Sequence, residues 1–491
     1  SAQRHVDCHT QMVTPPPLSA GLVAFVKRDC ETCKLVDPVL GAIAKDEPLT
    51  VYTQDDVSFP TSVAAVDDLA LEMSWHHNIE TVPTLIRVDA NGVEEERIVG
   101  WSRDQWQAFT GNMELGITLP GFRPGCGSLS VDPSRADELN ARMGGSGLVT
   151  RRVDFAELED DFEAMYDRGW SDGLPLVPPT EARVMRMLEG TTRSASDIVA
   201  NVAPDLIDVT VEKIAVNAVM AGCKPEYLPV VIAAVEAICT DEFNIHGLLA
   251  TTMSVGPVFV VNGPIRKPLG MNSGINVFGQ GNRANLTIGR AVQLIVRNVG
   301  GGRPGGVDRA TQGSPAKIGL AFPEDEEGTP WISLAEERGM EPGVNAITAL
   351  CLEGPRLIVD QLSRTPESLT NNIAECLMTT HSKRMVYGID ALLVLSPEHM
   401  SRYVDAGWDR ARFRAELEER LMVNTDDIIR GTGGIDEGLP ADFAGMQLPK
   451  FRPGGLHIAH AGGPAGLFSS VFAGWVSGEK GSVPVTKEIT P

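Results

Sequence analysis

Two cysteines that flank a pair of residues are the part of this sequence best suited to chemistry. Cys30 and Cys33 follow the apolar run 21–26, which predicts a buried strand. They precede residues 34–44, whose apolar spacing predicts a helix. At such a turn the first thiol lies at a helix N-terminus, where backbone N–H groups favour the thiolate. The second thiol is then close enough to form a reversible disulfide with the first, so the pattern indicates thiol–disulfide exchange.

Zinc sites use the same cysteine spacing, but they need a second pair of ligands nearby. The next cysteine in the chain is as distant as Cys126, and other features favour redox chemistry. Pro38 falls within the predicted helix, and the run Thr81-Val82-Pro83-Thr84 precedes a predicted strand at 85–88. A turn at 90–93 then leads into another predicted strand and a last helix.

In order, spacing and motif, residues 17–115 resemble the thioredoxin family. In that family a proline kinks the helix that follows the dithiol, where Pro38 stands here. A cis-proline loop lies beside the sulfurs, where Pro83 is expected. The resemblance implies a thioredoxin-like domain in which Cys30 attacks as the thiolate and Cys33 resolves the mixed disulfide.

The surroundings of the dithiol depart from the family pattern. Thioredoxins usually carry Trp before the first cysteine and Gly-Pro between the two, whereas this chain has Asp29, Glu31 and Thr32. Two carboxylates beside the thiols are expected to raise the thiol pKa values by like-charge repulsion. We therefore expect a reducing, slowly exchanging pair, with Asp29 as a supporting residue. The alternative is a thioredoxin fold whose cysteines are only structural.

Composition limits the classes of function. The chain has 491 residues and a net charge of −23, which argues against nucleic acid as a partner. Eight cysteines are too sparse for a disulfide scaffold, and they fit a reducing, cytoplasmic compartment. No apolar run reaches transmembrane length and no signal peptide is visible, so no membrane association is expected. The chain begins at Ser1 without Met, which leaves open a removed leader.

Four segments are predicted, namely a tail (1–16), the thioredoxin-like domain (17–115), a connector (116–150) and a larger α/β domain (151–491). In the last segment a strand followed by a small-residue turn recurs three times, which is typical of an α/β sheet and hints at internal duplication. Two of these strands are predicted to lead into helices, at 398–406 and 467–475. Helices are also predicted at 67–77 and 155–167. Ligands bind at the carboxyl ends of such strands, so the turns at Asn262, Ser396 and Ala461 are candidate walls of a site.

Cys126 in the connector is a candidate third reactive thiol. Glycines on both sides would let another group approach its sulfur, and Arg123 would favour its thiolate. Its position just beyond the thioredoxin-like segment suits exchange with Cys30. The alternative is an exposed turn cysteine without a role.

The glycine-rich stretch 262–317 is the most site-like part of the larger domain. Backbone N–H groups with nearby amides and arginines can hold a carboxylate or phosphate. The candidate ligands of a small anionic substrate are Asn262, Arg266, Asn272, Asn276, Asn282, Arg283 and Arg303. His246 is a candidate general acid, with a satisfied core histidine as the alternative. A G-x-G-x-x-A match at 279–284 lacks the flanking strand and acid of a dinucleotide site, and a structural loop at a dimer interface is the competing interpretation.

From about residue 118 the chain also resembles a bacterial family of thioredoxin-fused proteins of unknown activity. The runs Arg123–Ser128, Gly169–Thr180 and Asn262–Gly306 carry this resemblance, which implies no particular chemistry.

The favoured hypothesis is a thiol-dependent redox enzyme. The Cys30–Cys33 dithiol would reduce Cys126, which would serve a catalytic α/β domain that binds a small anion. One alternative is a metal- or acid–base-dependent lyase or hydrolase with a docking thioredoxin fold, and another is a non-enzymatic redox adaptor. No cofactor beyond the Cys30–Cys33 disulfide is indicated, and a metal ion is the less favoured interpretation. Expected partners are a small anionic substrate, a thioredoxin-reductase-type or other partner protein, and a second copy of the chain.

Overall fold

A computed structural model describes residues 16–132, 160–476 and 481–491, together with 135, 138–139, 142–144, 147–151 and 153. The predicted tail 1–16 therefore lies outside the described residues except for its last residue. The chain divides into two compact units: Ser1–Val149 with Thr180–Met185, and Thr150–Pro179 with Arg186–Pro491. The predicted connector thus groups with the first unit.

The first unit is built on a mixed five-stranded sheet in the order β3-β2-β1-β5-β6. Its strands and those of two small ribbons beside it are β1 (Gly21–Val26), β2 (Leu49–Thr53), β3 (Ala65–Asp67), β4 (Thr81–Val82), β5 (Thr84–Val88), β6 (Glu94–Val99), β7 (Trp101–Ser102), β8 (Phe122–Arg123) and β9 (Cys126–Gly127). Strand β1 is central because its side chains are almost all apolar and buried. It pairs in parallel with β2 and antiparallel with β5.

Helices that accompany this sheet within the fully described range 16–132 are α1 (Glu31–Asp46), α2 (Glu72–His76) and α3 (Arg103–Thr110). Helix α1 contains Pro38 and buries one apolar face. The helix predicted at 67–77 is wrong in extent. The carboxylate of Asp68 accepts from the backbone N–H of Met73 and Ser74, and Leu71 adopts a left-handed φ of 60°, so only one short helical turn forms.

The second unit carries most of the chain. Its helices, with one that spans the division between the units, are α4 (Asp161–Asp167), α5 (Glu181–Leu188), α6 (Val211–Ala221), α7 (Leu228–Ile238), α8 (Ile245–Ala250), α9 (Arg283–Asn298), α10 (Leu334–Glu337), α11 (Pro366–Met378), α12 (Pro397–Asp405) and α13 (Arg410–Arg420). Its strands are β10 (Ile198–Val202), β11 (Ile207–Thr210), β12 (Gly256–Asn262), β13 (Leu320–Pro323), β14 (Ala346–Leu352), β15 (Arg356–Val359), β16 (Ile389–Leu395), β17 (Met422–Asn424), β18 (Gln447–Pro449), β19 (Leu456–His460), β20 (Phe468–Val476) and β21 (Val485–Glu488).

An eight-stranded sheet forms the core of this unit, in the order β13-β12-β14-β20-β16-β19, with β21 on β14 and β15 on β20. The same pattern occurs twice. Strand β12 pairs in parallel with β13 and antiparallel with β14, and β16 pairs in parallel with β19 and antiparallel with β20. The strand that follows each triplet pairs with the other triplet. The pairing pattern is therefore repeated within the sheet, and internal duplication stays a prediction.

The segment 467–475 is a strand rather than the predicted helix. Its Phe, Val and Trp residues favour extended backbone, and β20 pairs with both β15 and β16. The acidic helix predicted at 155–167 is described only from Asp161 to Asp167, and its first part lies outside the described residues. Among the helices that the structure describes, none is long and apolar enough to cross a membrane.

Candidate functional site

Three cysteines of the first unit meet at one point. Cys30 is the N-cap of α1, and its sulfur accepts a hydrogen bond from the backbone N–H of Cys33 at 3.3 Å. Cys126 lies on β9, which pairs antiparallel with β4 so that Cys126 stands opposite Val82. This pairing brings Sγ of Cys126 to 2.8 Å from Sγ of Cys30, against about 2.05 Å in a disulfide bond. All three thiols are free.

The three thiols differ in exposure and in charge preference. Cys30 and Cys33 are buried, whereas Cys126 is partly exposed. The hydrogen bond from the Cys33 side chain lowers the pKa of Cys30 from 9.0 to about 5, and the Cys126 thiol and two backbone N–H groups add to this effect. Burial raises the pKa of Cys33 and of Cys126. The site is therefore arranged to hold one thiolate, on Cys30, between two protonated thiols.

The expectation that neighbouring carboxylates raise the pKa of both thiols is wrong for Cys30. Glu31 points to solvent and forms an ion pair with Lys34 at 2.7 Å, which compensates its charge. The backbone N–H of Asp29 binds the carboxylate of Asp55 at 2.8 Å. The pKa of Cys30 is instead governed by the hydrogen bonds to its sulfur, which favour the charged form.

The segment 122–128, which we call the strap, covers the dithiol. Thr32 Oγ1 donates to the carbonyl of Pro124 at 2.6 Å, and Lys27 Nζ donates to the carbonyl of Gly127 at 2.8 Å. Gly125 has no side chain because a Cβ there would lie 2.8 Å from the carbonyl oxygen of Val82. The strap thus follows the loop of Pro83, whose peptide bond with Val82 is cis.

A buried polar network fixes the far end of the strap. Gln54 Nε2 donates to Ser128 Oγ and to Ser74 Oγ, both at 2.7 Å, and its Oε1 accepts from Leu129 N–H at 3.0 Å. Ser74 Oγ in turn donates to the buried carboxylate of Asp68. Since buried polar groups are costly when unpaired, this network holds Ser128, and with it Cys126, in one position.

In the second unit, most of the predicted anion ligands are engaged by the protein itself. Arg266 is buried, donates to the carbonyls of Gly263 and Glu324, and forms an ion pair with Glu326 at 2.9 Å. Asn262 donates to Glu324 and Glu326. Both residues therefore complete an internal network of charges and are not free for a substrate.

Other predicted ligands position loops. Asn282 caps α9, Asn272 holds the turn at 274–275, and Arg283 donates to the carbonyl of Gly222 at 2.8 Å. Within the described structure Arg303 has no ion pair, and its Nη1 lies beside the backbone of Gly169. His246 is exposed on the short helix α8, so the alternative interpretation of a buried core histidine is wrong.

A cleft of about 210 Å³ lies at the carboxyl ends of β16 and β19, as the strand-end rule predicts. Of the predicted anion ligands, Asn276 lines it, and so do Ser396 and Ala461 from the predicted turns. The sequence interpretation missed Ser469 and Ser470, which also line the cleft, because residues 467–475 had been assigned to a helix. The run Phe-Ser-Ser-Val-Phe could have indicated a strand through its β-branched and aromatic residues.

His457, His460, Cys223 and Cys351 of the second unit are buried. His457 contacts Asp390 at 3.2 Å, and His460 Nδ1 contacts the carbonyl of Leu395 at 2.9 Å. Burial raises the pKa of Cys223 and of Cys351 to about 12, so neither is a reactive thiolate. Among the described residues no group of three or more His, Cys, Asp or Glu side chains is arranged to hold a metal ion.

Comparison with protein-family models, curated proteins and solved structures finds no match to this chain. The functional assignment therefore depends on the residues and geometry described above.

Proposed function

We propose that the protein is a thiol–disulfide oxidoreductase in which the Cys30–Cys33 dithiol of a thioredoxin-like unit reduces Cys126 of the same unit. The observation that carries the proposal is the 2.8 Å separation of the Cys30 and Cys126 sulfurs. The strand order β3-β2-β1-β5-β6 and the dithiol at the start of α1 support the thioredoxin-like assignment.

The exposures of the thiols suggest the order of the steps. Cys126 is the partly exposed thiol and would meet a small organic disulfide, forming a mixed disulfide and releasing one thiol. The Cys30 thiolate would then attack the Cys126 sulfur, releasing the second thiol and forming a Cys30–Cys126 disulfide. Cys33 would next lose its proton and attack the Cys30 sulfur, freeing Cys126 and leaving a Cys30–Cys33 disulfide. An external dithiol would return that disulfide to the starting state, so two electrons pass per cycle.

The strap favours this reaction over the adaptor alternative. The backbone of Val82 already pairs with that of Cys126, so it is not free to pair with another chain. Cys30 itself is only 2% exposed. A protein-sized disulfide would have to displace the strap and break the contacts of Thr32 and Lys27 with it. The geometry thus supports Cys126 as the built-in partner of the dithiol, with small molecules as its substrates.

Trapping of the intermediate tests the proposal. The Cys33→Ser protein, oxidised with one equivalent of 2-hydroxyethyl disulfide, is expected to accumulate a Cys30–Cys126 disulfide that peptide mass mapping identifies. Cys239→Ser is the matched control, because burial raises the pKa of Cys239 to about 12, and this variant should show Cys30–Cys33 instead. A Cys33→Ser protein that carries only mixed disulfides, or none, would rule out the relay.

The finer form of the proposal is that Cys126 serves the larger unit. Reduced Cys126 would then be needed for turnover of a small anion bound by that unit. If a turnover assay is found, Cys126→Ser should abolish activity and Cys30→Ser should limit it to a single turnover. Full activity of Cys126→Ser would rule out a role of Cys126 in that turnover, without contradicting the proposed thiol relay of the first unit.

A further inference from the structure

A serine and a histidine form a hydrogen-bonded pair at the cleft of the second unit. Ser469, on β20, lines the cleft, and its Oγ lies 2.7 Å from Nδ1 of His399, on α12. Both side chains are buried. The two residues belong to different elements, since Ser469 lies on β20 and His399 lies on α12, which follows β16, so only the folded sheet brings them together.

The second ring nitrogen fixes the direction of this hydrogen bond. His399 Nε2 lies 3.2 Å from the backbone carbonyl of Asp360, which can only accept, so Nε2 carries the proton. Nδ1 is then the acceptor, and the Ser469 hydroxyl donates to it. Burial lowers the pKa of His399, which keeps the imidazole neutral and able to take a proton at neutral pH. A hydroxyl that donates to a neutral, oriented imidazole is the arrangement of an activated serine nucleophile.

The lining of the cleft also includes an open backbone donor. Ser396, the N-cap of α12, makes no capping bond, because its Oγ donates to the carbonyl of Phe468 instead. The N–H of Gly462 is taken by Ser273 and that of Gly466 by Glu398, whereas among the described residues the N–H of Gly463 has no acceptor. Open N–H groups of this kind stabilise an oxyanion.

The lining indicates the kind of acyl group that fits. Val277, Phe278, Val394 and Phe468 give the cleft apolar walls, and its volume is about 210 Å³. Among the described residues no lysine or arginine lines the cleft, so an uncharged group is favoured over an anion.

We propose that Ser469 and His399 form a nucleophile–base pair that hydrolyses short-chain acyl esters in this cleft. The Ser469 oxygen bonds to the acyl carbon while its proton passes to Nδ1 of His399. That proton then goes to the departing alkoxide as the ester C–O bond breaks. Water then attacks the acyl carbon while His399 takes its proton. The bond between the acyl carbon and the Ser469 oxygen breaks, His399 returns the proton to that oxygen, and the carboxylic acid leaves. This activity is separate from the thiol relay of the first unit and does not depend on it.

A fluorophosphonate probe tests the proposal on the full-length protein. Intact mass is expected to show one phosphonyl group per chain, which peptide mapping places on Ser469. Ser469→Ala should lose the label, and Ser470→Ala is the matched control that should keep it, because Ser470 lines the same cleft and within the described structure makes no hydrogen bond to His399. Cys126→Ser should also be labelled normally.

The role of His399 has its own readout. His399→Gln should slow labelling by roughly a hundredfold or more while the thermal unfolding midpoint shows that the protein is folded. If that variant does not fold, the pH profile of wild-type labelling replaces it. The rate should be level through neutral pH and fall only on the acid side of 6.5, because burial and the charge of Arg402 lower the pKa of His399 more than Asp360 and Glu398 raise it. Absence of labelling in folded wild type, labelling of another residue, or labelling that persists in Ser469→Ala would each overturn the proposal. Hydrolysis of p-nitrophenyl acetate that survives Ser469→Ala would overturn it too.

Discussion

Removal of the hydrogen bonds to Cys30 should return its thiol to an ordinary titration. In the reduced protein the Cys33 thiol is the strongest donor to the Cys30 sulfur, followed by the Cys126 thiol. Cys33→Ala deletes the first donor, and Cys33→Ser replaces it with a hydroxyl that can donate in the same place. We therefore expect the titration midpoint of the Cys30 thiol, the pH at which half of it is ionised, to rise in Cys33→Ala and to change little in Cys33→Ser.

The size of the effect follows from the pKa of Cys30, which is lowered from 9.0 to about 5. That difference corresponds to roughly 5 kcal/mol in favour of the thiolate. At pH 7 it changes the thiolate fraction from roughly 1% to roughly 99%. A hydrogen bond to a charged group contributes about 1.5–3 kcal/mol, so the loss of the Cys33 donor should raise the midpoint by about one to two pH units. Cys126→Ala should raise it by less.

Thiolate ultraviolet absorbance, recorded against pH for the reduced protein, measures this midpoint. The Cys30→Ser protein supplies the baseline, because its difference from the other proteins isolates the Cys30 signal. A wild-type midpoint near 9.0 would refute the reasoning, and so would equal midpoints for wild type and Cys33→Ala.

Three further predictions follow from other contacts. The pKa of Cys30 is lower in the folded than in the unfolded chain, so the Cys30 thiolate contributes stability to the reduced protein that is fully present above pH 9.0 and is lost as the pH falls through about 5. The difference between the free energies of urea unfolding of wild type and Cys30→Ser should show this loss. Parallel pH curves for the two proteins would contradict it. Gln54→Leu removes the hydrogen-bond partner of the Ser74 and Ser128 hydroxyls and of the Leu129 N–H, and should lower the free energy of urea unfolding by about 2–4 kcal/mol. It should also speed the alkylation of Cys30 by a small reagent. An unchanged alkylation rate would show that the strap does not limit access to Cys30. Lys450 Nζ donates to the carbonyls of Thr380, Ser382 and Met385 at 2.6–2.9 Å, so Lys450→Met should lower the free energy of unfolding of the second unit by about 3 kcal/mol. Lys383→Met, at an exposed position, is the control and should leave that free energy unchanged. Equal effects of the two substitutions would count against the importance of these contacts.

The first unit was the more predictable part of the fold. Its strand β1, helix α1, the strands at 84–88 and 94–99 and the final helix α3 all occur where local apolar patterns placed them. Those patterns are local, because a strand or helix is specified by the periodicity of its own residues. The error at 67–77 arose where a tertiary contact, the capping by Asp68, overrode the local pattern.

The second unit was predictable in class but less so in its site. The strand–turn–helix pattern correctly indicated an α/β sheet and the position of the turns at Ser396 and Ala461. It did not reveal that Arg266 forms an ion pair with Glu326 and is therefore not free for a substrate, because ion pairing between residues distant in the chain depends on the fold. The helix predicted over β20 concealed Ser469 for a similar reason, since a short apolar run becomes a strand when neighbouring strands pair with it.

The amino-acid sequence by itself determined which residues of this protein are candidates for thiol–disulfide exchange, since the spacing of Cys30 and Cys33 and the glycines around Cys126 are properties of short segments. Tertiary structure alone decided that the Cys126 sulfur lies against the Cys30 sulfur and that Ser469 lies against His399. Each of these pairs joins residues far apart in the chain, and their distance is set by strand pairing and burial. The pKa of Cys30 follows the same division, because the charged neighbours visible in the sequence matter less than the hydrogen bonds that folding aims at its sulfur.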